Sequence, residues 1–359
     1  MKKTLWLMTL ATVSLLAPEA LPCGAGFGYE VEIEPQQQII VAYDEGVETY
    51  IFSPQFCGKA TEFGLILPVP ATLTEHPTLA GEELFAQLDE LTAPNIEEVE
   101  ICEGSGSCFP MMGSADGSRG GGELVDPGVD VISTGTVGIF DWALLQADST
   151  AAFTDWLDAN SFPYPASAQA HFAHYVDKQW HFVAFKFTTA DGPPPDGYRL
   201  CGDLGPLSLS FATPEPVIPT RIAAVGASGE LLWQIFAIAD QQQQEQTYWV
   251  DSELLFSGEV VAQDLQQYPE IATVAAAGQR ITKLNLTFQA QSISDDIYLG
   301  PSALSEDFRA TKQVYIEGDS CGGCSVSLRH QRLRLPMEGV MLALMALVLG
   351  LRSPGRRRR

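Results

Sequence analysis

The chain has 359 residues, 46% of them hydrophobic, and a formal net charge of −25. That length holds one large domain or two ordinary ones, and that apolar content excludes global disorder. Residues 24–328 carry only 10 of the 20 Lys and Arg but 43 of the 45 Asp and Glu, a field of −33 that repels phosphate and excludes nucleic acid as a partner.

Lys2-Lys3 followed by the apolar run 5–16 reads as the charged and hydrophobic regions of a secretory signal covering residues 1–22. Ala17 and Ala20 offer cleavage points. Cys23 follows Pro22, where a lipidated cysteine would follow a small residue, so it reads as a disulfide cysteine. Alternation over 29–34 predicts a half-buried strand. Residues 38–43 and 47–52, joined at Asp44-Glu45-Gly46, predict a hairpin. The continuous apolar run 63–69, closed by prolines, predicts a fully buried strand. Residues 82–91 change to helical spacing, with Leu84, Leu88 and Leu91 on one face.

The stretch 102–128 is dense in Gly and Ser and reads as a long surface loop, in which Cys102 and Cys108 could close a small ring. Residues 129–141 read as strand with a turn. Ser149 is placed to cap a helix carrying Phe153, Trp156 and Leu157, and residues 166–177 form another helix. A strand is expected over 180–187. Gly192-Pro193-Pro194-Pro195-Asp196-Gly197 then divides the body into a first half, 23–191, and a β-rich second half, 198–318. Strands are expected at 207–211, 231–238 and 280–288, with 241–244 as a polar loop rather than a binding tract. The fold class that results is α+β and β-rich: antiparallel, sandwich-like strands with a few packed helices.

The tail combines Cys321-Gly322-Gly323-Cys324 on a tether (319–336), an uncharged run at 339–351, and Arg356, Arg357, Arg358 and Arg359 at the end. Thirteen uncharged residues reach about 20 Å as a helix, short of the roughly 30 Å hydrocarbon core. Starting at Leu335 gives seventeen, with Glu338 near the outer end. The terminal arginines favour a cytoplasmic C-terminus, and the signal places the body outside, so the two ends agree on orientation. The tail resembles the C-terminal sorting tails of bacterial surface proteins of the myxobacterial type. That resemblance implies Cys321 or Cys324 as the processing or anchoring point, although residues 325–336, with three arginines, separate it from the apolar run.

The body resembles a bacterial exported family known as domain of unknown function 2330. The likeness rests on Cys23-Gly24, Phe63-Gly64-Leu65-Ile66-Leu67-Pro68-Val69-Pro70, Val137-Gly138-Ile139-Phe140-Asp141 and Trp156-Leu157 ahead of Tyr175-Val176. It continues through Trp180-His181-Phe182-Val183-Ala184-Phe185-Lys186, Pro219-Thr220-Arg221-Ile222 and Phe236-Ala237-Ile238-Ala239-Asp240. It spans most of residues 23–318 and departs from the pattern in the 102–128 loop. It implies export and offers no activity, because the family has none assigned.

Motifs for chemistry are sparse. His171 and His174 stand three apart on an expected helix, but no His-Glu-x-x-His follows them, and packing or surface roles are the plainer reading. No serine is flanked by glycines two residues away on both sides, and no phosphate-loop or calcium-loop pattern occurs. The Cys321/Cys324 spacing matches thioredoxin, but its place on a tether argues against redox catalysis. Acid pairs such as Asp295-Asp296 are too common in so acidic a chain to mark a glycosidase. Seven cysteines fit an oxidising compartment, with Cys102–Cys108 and Cys23–Cys57 as candidate bridges. The sequence therefore favours an exported, envelope-anchored, non-catalytic structural or interaction module without cofactor or metal. Its expected partners are the membrane, through the tail, and the export and sorting machinery. The alternative is an exported hydrolase using carboxylate chemistry.

Overall fold

The computed structural model describes residues 25–27, 36–59, 64–101, 128–188, 199–203, 205–225, 227 and 229–317. The signal at 1–22, the 29–34 stretch, most of the 102–128 loop, the 192–197 segment and the whole tail lie outside them. Among the described residues, no helix is long and apolar enough to cross a membrane. The chain divides into two compact units, Met1–Glu98 with Cys108–Val314, and Val99–Ser107 with Tyr315–Arg359.

Strands β1 (Ala25–Phe27), β2 (Gln36–Asp44), β3 (Val47–Phe52), β4 (Gln55–Lys59), β5 (Gly64–Val69) and β6 (Thr78–Leu79) come first. Helix α1 (Leu84–Leu91) and β7 (Asn95–Ile101) follow. Next are β8 (Val129–Val137), β9 (Phe140–Ala147), α2 (Thr150–Ala159), α3 (Gln169–Asp177) and β10 (His181–Phe187). Then come β11 (Arg199–Asp203), β12 (Leu207–Ala212), β13 (Val217–Ile218), β14 (Glu230–Ala239), β15 (Gln243–Glu245) and β16 (Asp251–Glu259). The described chain closes with α4 (Ala262–Gln267), β17 (Arg280–Gln289), β18 (Ile297–Pro301), β19 (Phe308–Arg309) and β20 (Thr311–Glu317).

The strands form an eight-stranded sheet in the order β19-β16-β17-β14-β2-β3-β12-β6 and a five-stranded one, β1-β5-β10-β9-β8. Smaller sheets are β13-β18-β15, β11-β4 and β20-β7. The β-rich, mainly antiparallel architecture is the one the sequence leads to. Strands from before and after 192–197 share the large sheet, whose centre holds a parallel pair, β2 beside β14.

The hairpin β2–β3 turns at Glu45 (φ 47°) and Gly46 (φ 83°), with Asp44 opposite Val47. Two left-handed residues in a two-residue turn give the twist that antiparallel strands need, and Gly46 adopts that conformation without a Cβ clash. Along β2 the side chains divide between two cores: Ile39 and Val41 join one, Ile40 the other. The large sheet is therefore apolar on both faces, which is why its central strands read as continuous apolar runs. One face shares its core with β5, β9, β10, α2 and α3, the other with α1 and residues 256–271. Ser149 caps α2, its Oγ accepting from the Ala152 N–H at 3.1 Å.

Helix α1 presents Leu84 and Leu88 to the second core, as its spacing predicts. Asp89 pins it to the sheet, accepting from Lys283 Nζ at 2.7 Å and from Gln38 Nε2 at 2.9 Å. Lys283 is only 6% exposed, and its ammonium lies 5.0 Å from the centre of the Phe236 ring. The glutamine run is not simply a loop, because Gln243–Glu245 pairs with β18 and both Gln242 and Gln243 are buried. Backbone pairing to a neighbour distant in sequence overrides the polar composition.

Glu48, on β3, is fully buried. Its Oε2 accepts from the Val217 N–H at 2.8 Å, while Oε1 has no hydrogen-bond partner among the described residues. Burial pushes the Glu48 carboxyl well above the usual carboxylate range, against a smaller opposing effect of the Val217 hydrogen bond. The folded state therefore holds a proton that the unfolded state releases. This favours folding fully below the unfolded value and less as pH rises towards the folded one. Glu48→Gln keeps an acceptor for Val217 and cannot ionise. Thermal melts over a pH series are expected to show the variant more stable than wild type at neutral and alkaline pH, with the gap closing in mild acid. A variant less stable at every pH would contradict this.

Candidate functional site

The densest polar cluster lies where α3 meets the chain leading into β18. Phe172 and Tyr175 turn into the core, while His171, His174 and Lys178 follow one another at helical spacing along a neighbouring face. Asp295 and Asp296 stand just before β18, and Arg221 opens the short 3-10 turn Arg221–Ala224.

Asp296 is 1% exposed. Its Oδ1 accepts from the Tyr175 hydroxyl at 2.6 Å and from the Arg221 N–H at 3.1 Å, and Lys178 Nζ donates to its Oδ2 at 3.4 Å. Asp295 Oδ1 accepts from Lys178 Nζ at 3.0 Å and from the Asp296 N–H at 2.9 Å. Lys178 also donates to the Tyr298 hydroxyl at 3.3 Å, with its ammonium 5.3 Å from the Trp180 ring centre and 5.8 Å from that of Tyr298. The Tyr175 hydroxyl in turn accepts from the Ile222 N–H at 3.1 Å. His174 Nε2 stands 3.3 Å from Asp295 Oδ1 and 3.8 Å from Asp296 Oδ2, and His171 Nδ1 donates to the Arg221 carbonyl at 2.8 Å.

The electrostatics follow from this geometry. Burial works against the Lys178 charge, but the Asp296 carboxylate and the hydrogen bond to Asp295 outweigh it and raise the Lys178 pKa. Burial likewise disfavours ionised Asp295, yet the Lys178 hydrogen bond and charge hold its carboxyl below the usual range. Burial, followed by the Asp296 charge, pushes Tyr175 well above the ordinary phenol value. Burial lowers the His171 pKa despite its bond to the Arg221 carbonyl.

His174, Asp295 and Asp296 offer ligand atoms within 4.8 Å of one another, a spacing compatible with a metal ion. Lys178 Nζ already approaches both carboxylates. A fixed ammonium supplies the positive charge that a cation would bring, and a metal would have to displace it. The arrangement acts as a latch tying α3, the 221–224 turn and the start of β18 together.

His171 and His174, three apart on an expected helix, both lie on α3, each against a group from the second half of the chain. Sequence reading noted Asp295-Asp296 only as an acid pair and missed Tyr175 and Lys178. Their partners lie 121 and 117 residues away, beyond any local pattern. Of the cysteines singled out, Cys23, Cys102, Cys108, Cys321 and Cys324 lie outside the described residues, as do Arg356, Arg357, Arg358 and Arg359. Cys57 lies in β4, and the β4–β11 register sets Cys201 directly opposite it.

A family model described as an uncharacterized protein conserved in bacteria matches residues 17–300. No curated protein matches the chain. Among solved structures it is similar to baculovirus P35, at 10% identity and a TM-score of 0.31, over 79% of this chain and 98% of that one. A similarity at that level carries no argument about function.

Proposed function

The chain belongs to the family of domain of unknown function 2330, and from that premise we propose that it is an exported, envelope-held, non-catalytic interaction module. The signal-like start and the cysteine, apolar and arginine pattern of the tail support the location. They also support the membrane and the export and sorting machinery as partners. One observation carries the non-catalytic part of the reading: Lys178 lies 3.0 Å from Asp295 and 3.4 Å from Asp296. Carboxylate hydrolysis needs an acid and a base that face substrate and are free to exchange protons. Here one carboxylate is buried under a tyrosine and a backbone amide, and both are paired with the same ammonium.

Cell fractionation with surface proteolysis tests the location, comparing wild type, Cys324→Ala and a deletion of residues 336–359. Wild type is expected in the envelope fraction and open to protease on intact cells. The deletion is expected in the soluble exported fraction, and Cys324→Ala is expected to lose attachment or processing. Identical partitioning of all three forms would remove the tail as an anchor and overturn this reading.

A further inference from the structure

We propose that the first unit carries a binding site for a small organic cation, an ammonium or guanidinium compound, in the cleft at the C-terminal ends of β2 and β14. This goes beyond the envelope-module reading and stands on separate residues. β2 and β14 run parallel, with Ala42 opposite Ile238, so both strands exit at the same end of the sheet. β2 exits into Asp44 and Glu45, and β14 into Asp240. The crossing that leads to β13 adds Glu215, and β15 and β18 supply another wall. The cleft encloses about 310 Å³, at the lower end of the range for small-molecule sites.

Three features define its occupant. The first is charge: four carboxylates line the cleft, and no Lys or Arg is among its lining residues. Low-dielectric walls focus such a field, which excludes anions and draws in cations. The second is Gln243, which lines the cleft and is 6% exposed. Its Nε2 donates to the Gln241 carbonyl at 3.0 Å and its backbone N–H to Thr282 Oγ1 at 3.0 Å. Its Oε1 has no hydrogen-bond partner among the described residues. An unpaired buried acceptor is costly, and although this oxygen has almost no exposed surface, a ligand N–H would satisfy it once the side chain turns towards the cleft.

The third feature is the apolar part of the wall. Pro214, Pro216, Leu299 and Pro301 contribute, together with the Tyr43 ring, whose hydroxyl donates to the Pro214 carbonyl at 2.9 Å and the Thr213 carbonyl at 3.2 Å. A bare metal ion wants a close shell of oxygens and gains nothing from prolines or a ring. An alkylammonium or guanidinium uses all three features. It pairs with the carboxylates, donates to Gln243 and packs its carbon stem or cation face on the apolar side.

Isothermal titration of the full-length protein in detergent at low ionic strength, with spermidine and with argininamide as separate probes, tests the site. Saturable one-to-one binding of either probe is expected, and the pair of probes tells ammonium from guanidinium preference. Glu215 and Asp240 are exposed, so Glu215→Gln/Asp240→Asn is expected to fold and to weaken binding by about tenfold or more. Asp251→Asn/Glu253→Gln removes the same charge near the opposite end of the β14–β17 ladder and is expected to leave affinity unchanged. Absence of saturable binding would overturn the proposal. So would equal losses in both double variants, which would mean a diffuse acidic field, or saturable binding of calcium but of neither amine.

Discussion

Peptide mapping without reductant is expected to recover Cys57 and Cys201 in one linked pair, and the Cys57→Ser/Cys201→Ser variant to lose about 2–5 kcal/mol of stability. The reasoning starts from the ladder register, which makes the two residues Cα partners on antiparallel strands β4 and β11. Directly opposed residues in such a ladder stand roughly 4.5–5.5 Å apart at Cα, inside the span a disulfide bridges. The bond would close a loop of well over a hundred residues, where the chain-entropy contribution is near the top of its range. An oxidising compartment, as the envelope reading requires, would allow it to form and persist. The sequence alone left the pairings open, with Cys23–Cys57 as one candidate, because register is invisible without the fold. Alkylation of both thiols in unreduced protein, or a recovered Cys23–Cys57 peptide, would sink the expectation.

The second large effect is expected at Asp296. Asp296→Ala takes the acceptor from the Tyr175 hydroxyl and the Arg221 N–H, and leaves Lys178 with Asp295 alone. Removing one member of a buried, hydrogen-bonded charge set typically costs about 3–5 kcal/mol. That is a large share of the roughly 5–15 kcal/mol that holds a domain folded. Asp296→Asn retains an oxygen for Tyr175 and Arg221 and gives up only the charge facing Lys178, so its loss is expected to be smaller. Urea unfolding of the three proteins gives the order wild type, Asn, Ala. If Asp296→Ala costs less than about 1 kcal/mol, the latch is not structural. If zinc or calcium raises the wild-type melting temperature and Asp296→Asn abolishes the rise, the cluster is a metal site after all.

Local features were readable from sequence where one local cause determined them. Gly46 fixed the β2–β3 turn, Ser149 fixed the start of α2, and the run ending at Pro68-Val69-Pro70 marked a strand buried along its whole length. Strand β16 escaped because it opens on Asp251-Ser252-Glu253, exposed residues that hide its alternation. β15 escaped because four successive glutamines look like a loop when their pairing partner, around Gly300, is not in view. The polar cluster and the acidic cleft were illegible for one shared reason. Tyr175 meets Asp296, and Asp44 shares a wall with Glu215 and Asp240, only after distant strands have taken their places. Periodicity reports which face of an element is buried, and it carries no information on which element will lie opposite.

The parallel pairing of β2 with β14 also governs the order in which this protein can fold. β2 lies between β3, its hairpin partner, and β14, whose first residue is Glu230. Until that later segment is available, a growing chain leaves the edge of β2 that carries Ile39, Ile40 and Val41 without its parallel neighbour. Closing the sheet brings together segments nearly two hundred residues apart, the kind of long-range step that makes folding slow. A chain that cannot finish its central sheet early stays incompletely folded for longer, and under the export proposed above that is the state in which threading through a narrow channel costs least.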